Sequence, residues 1–270
     1  ILFQDRVFGP NIIHVLIASF SVWPIYLFIR NISESKSAFA AALLYTLFPL
    51  TIRNSLQPLS AVLCLFFVFI GLYYVTQFLY KTNKVKNIIF AGIFLTIACG
   101  FRYEAWIISA IIGVVLLIQL KNKEALIYGL IVSSFPLFWM VGNNLEHNDF
   151  LYGIHSAYNY NETYKAGEKL AGTVIIQRWI FSTYSLLFNL GFGISLLLII
   201  LGLKHFKSIS KKEIIWSSLF FLMLMFYIKK NLDGSLILQH RFTITLLALF
   251  LPIFAFIYSF LLESHLFSID

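Results

Sequence analysis

Charge is scarce in this 270-residue sequence: 12% of its residues are Asp, Glu, Lys or Arg, against about 25% in a soluble domain. Apolar residues make up 60%, and the mean hydropathy is +0.85. A water-soluble fold of this length could not hide so much apolar surface, so that class is excluded. Cysteine is also rare. Cys64 and Cys99 each fall inside an apolar block, where small buried hydrophobes are expected rather than a disulfide or a thiolate metal site. Strict alternation of apolar and polar residues is missing, which argues against a membrane barrel. No glycine-rich phosphate loop follows a strand, and no nucleophile elbow is present. Fixed-period repeats, low-complexity tracts, a signal peptide and a soluble domain are not visible either.

What is there is a series of long apolar blocks. In lipid, helices satisfy their own backbone groups, so the blocks read as an all-α, polytopic transmembrane bundle forming a single integral membrane domain over 1–270. About nine spans are expected, near 12–29, 38–52, 59–80, 87–101, 105–120, 125–142, 179–203, 214–228 and 242–262. Their interiors carry no Asp, Glu, Lys or Arg, as the cost of a mid-membrane charge requires. Ile1 in place of Met reads as a chain lacking its N-terminal part.

The net charge of +8 lies in the loops, where basic residues set topology, so a nucleic-acid partner is not expected. One alternate set of loops is short and basic. It holds Arg30 and Lys36; Lys81, Lys84 and Lys86; Lys121 and Lys123; and Lys204, Lys207, Lys211 and Lys212. That set is assigned to the cytoplasm. The other set holds Arg53, Arg102, the long segment 143–178 and 229–241, and is assigned to the periplasm, exterior or lumen. Trp106, Trp139, Trp179 and Trp216 fall near span ends, as an aromatic belt requires. The segment 143–178, rich in Asn, Tyr, His and Gly, is expected to be partly ordered over an outer cavity. Tyr152, His155 and Tyr158 would face that cavity.

Two outer stretches carry candidate chemistry. In Phe101-Arg102-Tyr103-Glu104-Ala105-Trp106, the plain reading is an interfacial anchor with a snorkelling Arg. The functional reading is a cation at a cavity mouth, with Arg102 holding a phosphate and Glu104 fixing its orientation. The stretch from Asp233-Gly234 to His240-Arg241-Phe242 divides the same way between anchor and site. The six histidines are scattered without metal-ligand spacing, so no metal site is expected. Asn161-Glu162-Thr163 and Asn31-Ile32-Ser33 are sequons of a kind that arises often by chance.

Several stretches together resemble the membrane glycosyltransferases of the GT-C fold, in the group of protein mannosyltransferases and aminoarabinose transferases. They are Phe8-Gly9 with the span Asn11 to Arg30, Pro49 to Pro58 with Arg53, Gly100 to Trp106, and Gln239-His240-Arg241-Phe242 with Pro252. Asn148-Asp149-Phe150-Leu151-Tyr152 with His155-Ser156 is similar to a polar outer loop of some relatives. The resemblance implies a polyprenyl-phosphate sugar as donor, membrane lipid as surroundings and an acceptor hydroxyl of unspecified origin. It names no resident cofactor and leaves a divalent metal open.

A carboxylate would act as base, the anomeric centre would invert, and fixed cations would stabilise the leaving lipid phosphate. Arg53, Arg102 and Arg241 are the implied cations, and Arg102 and Arg241 are expected to converge on one cavity. Glu104, Asp149, Tyr152, His155, Asp233 and His240 complete the implied substrate-binding set. The family's catalytic acid sits in a first outer loop that precedes this sequence, so the catalytic residue is unknown here. Asp5 does not match that motif, and Ala61 stands where relatives often carry an acid. A transporter or flippase for a lipid-linked or polar solute is the main alternative, and a non-catalytic membrane scaffold is a third reading. An O-antigen ligase or polymerase is a related enzyme class.

Overall fold

The structure, a computed structural model, describes residues 8–57, 59–165, 172–233 and 240–263. The described residues are helical and contain no strand. In chain order, α1 (Phe8–Phe20) and α2 (Val22–Ile32) run almost as one rod. They are followed by α3 (Ser35–Leu47), α4 (Pro49–Ser55) and α5 (Ser60–Gln77), which ends in a π turn at Phe78–Thr82. Next come α6 (Val85–Phe101), α7 (Tyr103–Ile118), α8 (Asn122–Val132), α9 (Ser134–His147) and α10 (Tyr152–Lys165). The chain closes with α11 (Gly172–Leu190), α12 (Phe192–His205), α13 (Lys211–Leu232) and α14 (Ile244–Glu263).

Each of the nine expected blocks is helical, but the span count is lower than expected. Among the described residues, four helices are long and apolar enough to cross a membrane: Gly9–Ile32, Ser60–Thr82, Asn122–His147 and Ile244–Glu263. The number rises to 6 if each of two bent pairs is one span. Length is one reason. Val85–Phe101 has 17 residues and Tyr103–Ile118 has 16, or about 24–26 Å at ~1.5 Å per residue, short of a core of about 30 Å. Backbone breaks are the other. Pro49 pushes Phe48 out of the helical region, to φ −62° and ψ 124°, and bends α3 from α4 by 62°. Gly191, at φ +80°, turns α11 into α12 by 105°.

The segment 143–178, expected to be partly ordered, is helical in part: α9 runs on to His147 and α10 fills Tyr152–Lys165. Asn148, at φ +53°, stops α9 in the left-handed region that asparagine tolerates, and its N–H donates to Asn144 O at 2.9 Å. Asp149 restarts the chain by accepting the Leu151 N–H at 2.9 Å.

Small residues let the central helices approach closely, as packing in lipid demands. A Cβ at Gly71 on α5 would lie 2.6 Å from Leu95 on α6, and one at Gly92 would lie 2.9 Å from Ile131 on α8. Asn31 donates to Thr76 and accepts from Gln77, tying α2 to α5. Ser259 on α14 contacts Ser33, at the end of α2, and Ser37 on α3. At the periphery, Asn122–His147 has only 11% of its apolar window buried. Its bare Phe138 and Leu145 suit a lipid-facing position.

The two sets of loops gather at opposite ends. At one end Lys121 donates to Asn83, Lys212 lies over the Tyr80 ring and Trp216 donates to the Tyr80 hydroxyl. At the other, α4 meets the 3-10 turn His240–Thr243, and the start of α7 meets the end of α13.

Candidate functional site

The break between α6 and α7 builds the site. Arg102 stands alone between the helices with extended backbone at φ −154° and ψ 143°. Its N–H still donates to Ala98 O, and its carbonyl accepts from Ala105 N. This places Glu104 in the first turn of α7, where a carboxylate suits the helix N-terminus. Arg102 then grips Glu104 through two parallel contacts, Nε to Oε2 at 3.1 Å and Nη2 to Oε1 at 2.5 Å. Tyr227 on α13 donates to the same Oε1 at 3.2 Å. The side chains of Arg102 and Glu104 are 16% and 13% exposed, so the guanidinium is turned into the bundle rather than out toward lipid.

Beside the pair lies a cavity of about 320 Å³. Its lining includes Ser60 from the start of α5, Cys99 to Glu104 and Trp106 around the break, and Phe135 and Trp139 from α9. Tyr103, Trp106 and Trp139 form a triangle of edge-on rings, with centroids 5.2–5.5 Å apart. Trp106 Nε1 donates to Cys99 O at 2.9 Å, which fixes that ring against the end of α6. A charged fork and an aromatic wall therefore share one pocket, a combination suited to an anion attached to a ring or chain.

The α10 segment touches this wall through Gly153. A Cβ there would lie 2.6 Å from Trp139 Cζ2 and 2.9 Å from the Tyr103 hydroxyl. Gly153→Ala should therefore loosen the first turn of α10, with overpacking costing about 1–3 kcal/mol. Limited proteolysis within 148–165 should quicken in Gly153→Ala but not in Gly142→Ala, where nothing crowds the new methyl. Equal cleavage of the two variants would mean that α10 is not seated on the wall.

The structure distributes the other expected site residues widely. Arg53 is exposed in the last turn of α4, outside the cavity lining. Asp149 and His155 pair at 2.7 Å. The His155 contact, with the Leu151 N–H, holds Asp149 below the usual carboxylate range. Tyr152 stacks on His147 at 3.6 Å. Tyr152, His155 and Tyr158 are all exposed and do not line the cavity as expected; Gly153 makes the approach instead. Asp233 is exposed at the end of α13. His240 is not a partner of Arg102: its Nδ1 lies 2.7 Å from Ser185 Oγ, among the rings of Phe181, Tyr184 and Phe188. Arg241 belongs to the 3-10 turn His240–Thr243, but its side chain lies outside the described residues. The expected convergence of Arg102 and Arg241 therefore also lies outside them.

Three contributors were missed in the sequence. Tyr227 sits inside a long apolar block with nothing to mark it. Gly153 gives no signal without its neighbours. The third is a polar seam between α11 and α13: the buried Arg178 donates to Asn231 O at 3.3 Å, and Asn231 Nδ2 donates to Ser182 Oγ at 2.8 Å. Serines at 182 and 185 with Asn189 recur on one face of α11, a polar stripe in an apolar helix that could have flagged it.

Residues 1–142 match the family model described as dolichyl-phosphate-mannose-protein mannosyltransferase. The chain belongs to that family. It is thus a membrane protein of a GT-C type glycosyltransferase family, as the resemblance implied. All the described cavity-lining residues, from Ser60 to Trp139, fall within the matched segment, whereas Tyr227 and α10 lie beyond it. No curated protein and no solved structure matches the chain.

Proposed function

We propose that the chain transfers a sugar from a polyprenyl-phosphate donor to an acceptor hydroxyl, and that the Arg102 cavity receives the donor phosphate. The observation that carries this is the geometry of Arg102: a guanidinium held inside the bundle, at a helix break, beside an aromatic-walled cavity. Glu104 is engaged by Arg102 and Tyr227, which suits it to orient the guanidinium rather than to take a proton. In the reaction, the acceptor oxygen attacks the anomeric carbon while its proton passes to a carboxylate base. The bond from anomeric carbon to phosphate oxygen breaks, and the lipid phosphate leaves with the electron pair. Attack opposite the leaving group inverts the centre. Arg102 would meet the charge growing on that phosphate. The aromatic wall would pack the sugar or the first isoprene units. The Arg102 end would face outward, because the opposite end carries the short lysine-rich turns.

Reconstitution into liposomes with labelled polyprenyl-phosphate sugars tests the reading. Label appearing on a hydroxyl acceptor, with release of polyprenyl phosphate, is the expected result. Label crossing the bilayer still bound to its lipid would favour the transporter alternative, to which the two bent helix pairs lend some support. No interaction with any such donor would reject the proposal.

A further inference from the structure

A second cavity lies at the other end of the bundle. The α5 helix links the two: Ser60 at its start lines the first, and Tyr73, Gln77 and then Lys81 line the second. From Ser60 to Gln77 the rise is about 26 Å, so the sites are roughly one hydrocarbon core apart. The second cavity measures about 260 Å³ and is lined by Leu27, Arg30, Asn31, Tyr73, Gln77 and Lys81. Five of these six are polar, and none is acidic. Among the described residues, two cations therefore share a cavity whose lining holds no carboxylate, unlike Arg102 beside Glu104.

The floor of this cavity is locked. Asn31, 8% exposed, donates to Thr76 Oγ1 at 2.9 Å and accepts from Gln77 Nε2 at 3.2 Å. Those bonds fix α2 against α5 and hold the stems of Arg30 and Lys81 on the same rim. The π turn at Phe78–Thr82, closed by Asn83 in the left-handed region at φ +48°, carries Lys81. Lys121 stabilises that turn from α7's end, donating to Asn83 and lying 5.7 Å from the Phe78 ring. Topology-setting lysines need only be near a membrane surface. Here an Arg and a Lys from different helices meet over a built polar floor at the ends of two spans, which is headgroup depth.

We infer that the cavity of Arg30 and Lys81 binds a phosphate group, the phosphodiester of an anionic lipid headgroup in the leaflet opposite the Arg102 site. The guanidinium and ammonium would bracket the phosphate oxygens, and the Tyr73 and Gln77 side chains would meet the remainder of the headgroup. The site is separate from the proposed transfer site and does not depend on that reading.

The test is native mass spectrometry of the full chain in a zwitterionic detergent, titrated with phosphatidylglycerol or phosphatidylcholine. Phosphatidylglycerol should be retained in preference. Arg30→Gln with Lys81→Gln should weaken its retention about 30-fold, since each surface cation accounts for about fivefold toward an anionic leaflet. Lys84→Gln with Lys86→Gln, on the same end but outside the cavity, should have little effect. Lys81→Gln alone, at an exposed position, gives about fivefold and keeps the test usable if the double variant misfolds. Equal retention of the two lipids overturns the inference. So does equal weakening by the two double variants, which would mean a diffuse basic surface. Millimolar inorganic phosphate supplies the last arm. If it occupies the site while neither lipid does, the anion comes from solution and the lipid assignment is wrong.

Discussion

Arg102→Ala should lower transfer from a polyprenyl-phosphate sugar by about 10²–10³-fold, the cost of removing one preorganised donor from developing charge. Arg102→Lys should also be impaired. Lysine keeps the positive charge but loses the planar fork that spans Glu104 and a phosphate together. The two variants separate charge from geometry. If Lys restores full activity, a point charge at this position is enough, and the paired contacts to Glu104 do not matter for transfer. If both variants transfer sugar at the wild-type rate while remaining folded, the donor phosphate is not bound at Arg102. The comparison should be made at saturating donor as well as at low donor, because a contact made only as phosphate charge develops lowers kcat and kcat/KM alike, whereas one made equally in the ground state raises KM alone.

Much of the fold was legible because lipid imposes one rule on every span: its backbone must be satisfied within the segment. Every expected block is helical for that reason. Where the reading failed, local backbone chemistry decided. Pro49 splits one apolar block and Gly191 another, and an apolar run of normal composition hides both bends. The 143–178 segment was too polar to be a span, but composition does not separate a loop from a surface helix. Asn148 and Asp149, the stop and restart signals for α9 and α10, were visible as residues; their roles were not. The site was legible in part. Arg102 and Glu104, two residues apart at a span boundary, stood out in the sequence and are joined in the structure. Tyr227, 123 residues after Glu104, depends on how α13 packs on α7, and no local pattern encodes that. His240 and Asp233, which the resemblance placed in the substrate-binding set, do not line the Arg102 cavity: motif similarity places a residue at an end of the bundle, not within reach of another.

The Arg102–Glu104 pair should also have a large effect on stability, and here single and double replacements differ sharply in cost. Glu104→Gln leaves a mostly buried guanidinium without its counter-charge, which should cost about 3–5 kcal/mol. Tyr227→Phe removes one hydrogen bond to a charged group and should cost about 1.5–3 kcal/mol. Arg102→Met combined with Glu104→Leu removes both charges together. Their mutual attraction is lost, but so is the penalty for holding two charges away from water, and two apolar side chains fill the space. That double variant should be far more stable than Glu104→Gln alone and close to wild type. Thermal unfolding in detergent, followed by tryptophan fluorescence, should therefore rank Glu104→Gln lowest, Tyr227→Phe between, and the double variant near wild type. A wild-type midpoint for Glu104→Gln would show that water reaches the pair freely and that its burial carries no energetic weight. The same double variant also separates folding from function. If the pair serves the donor phosphate, a protein that folds as well as wild type should still have lost the activity that Arg102→Ala loses. If it transfers sugar normally, the pair is only a tie between α7 and α13.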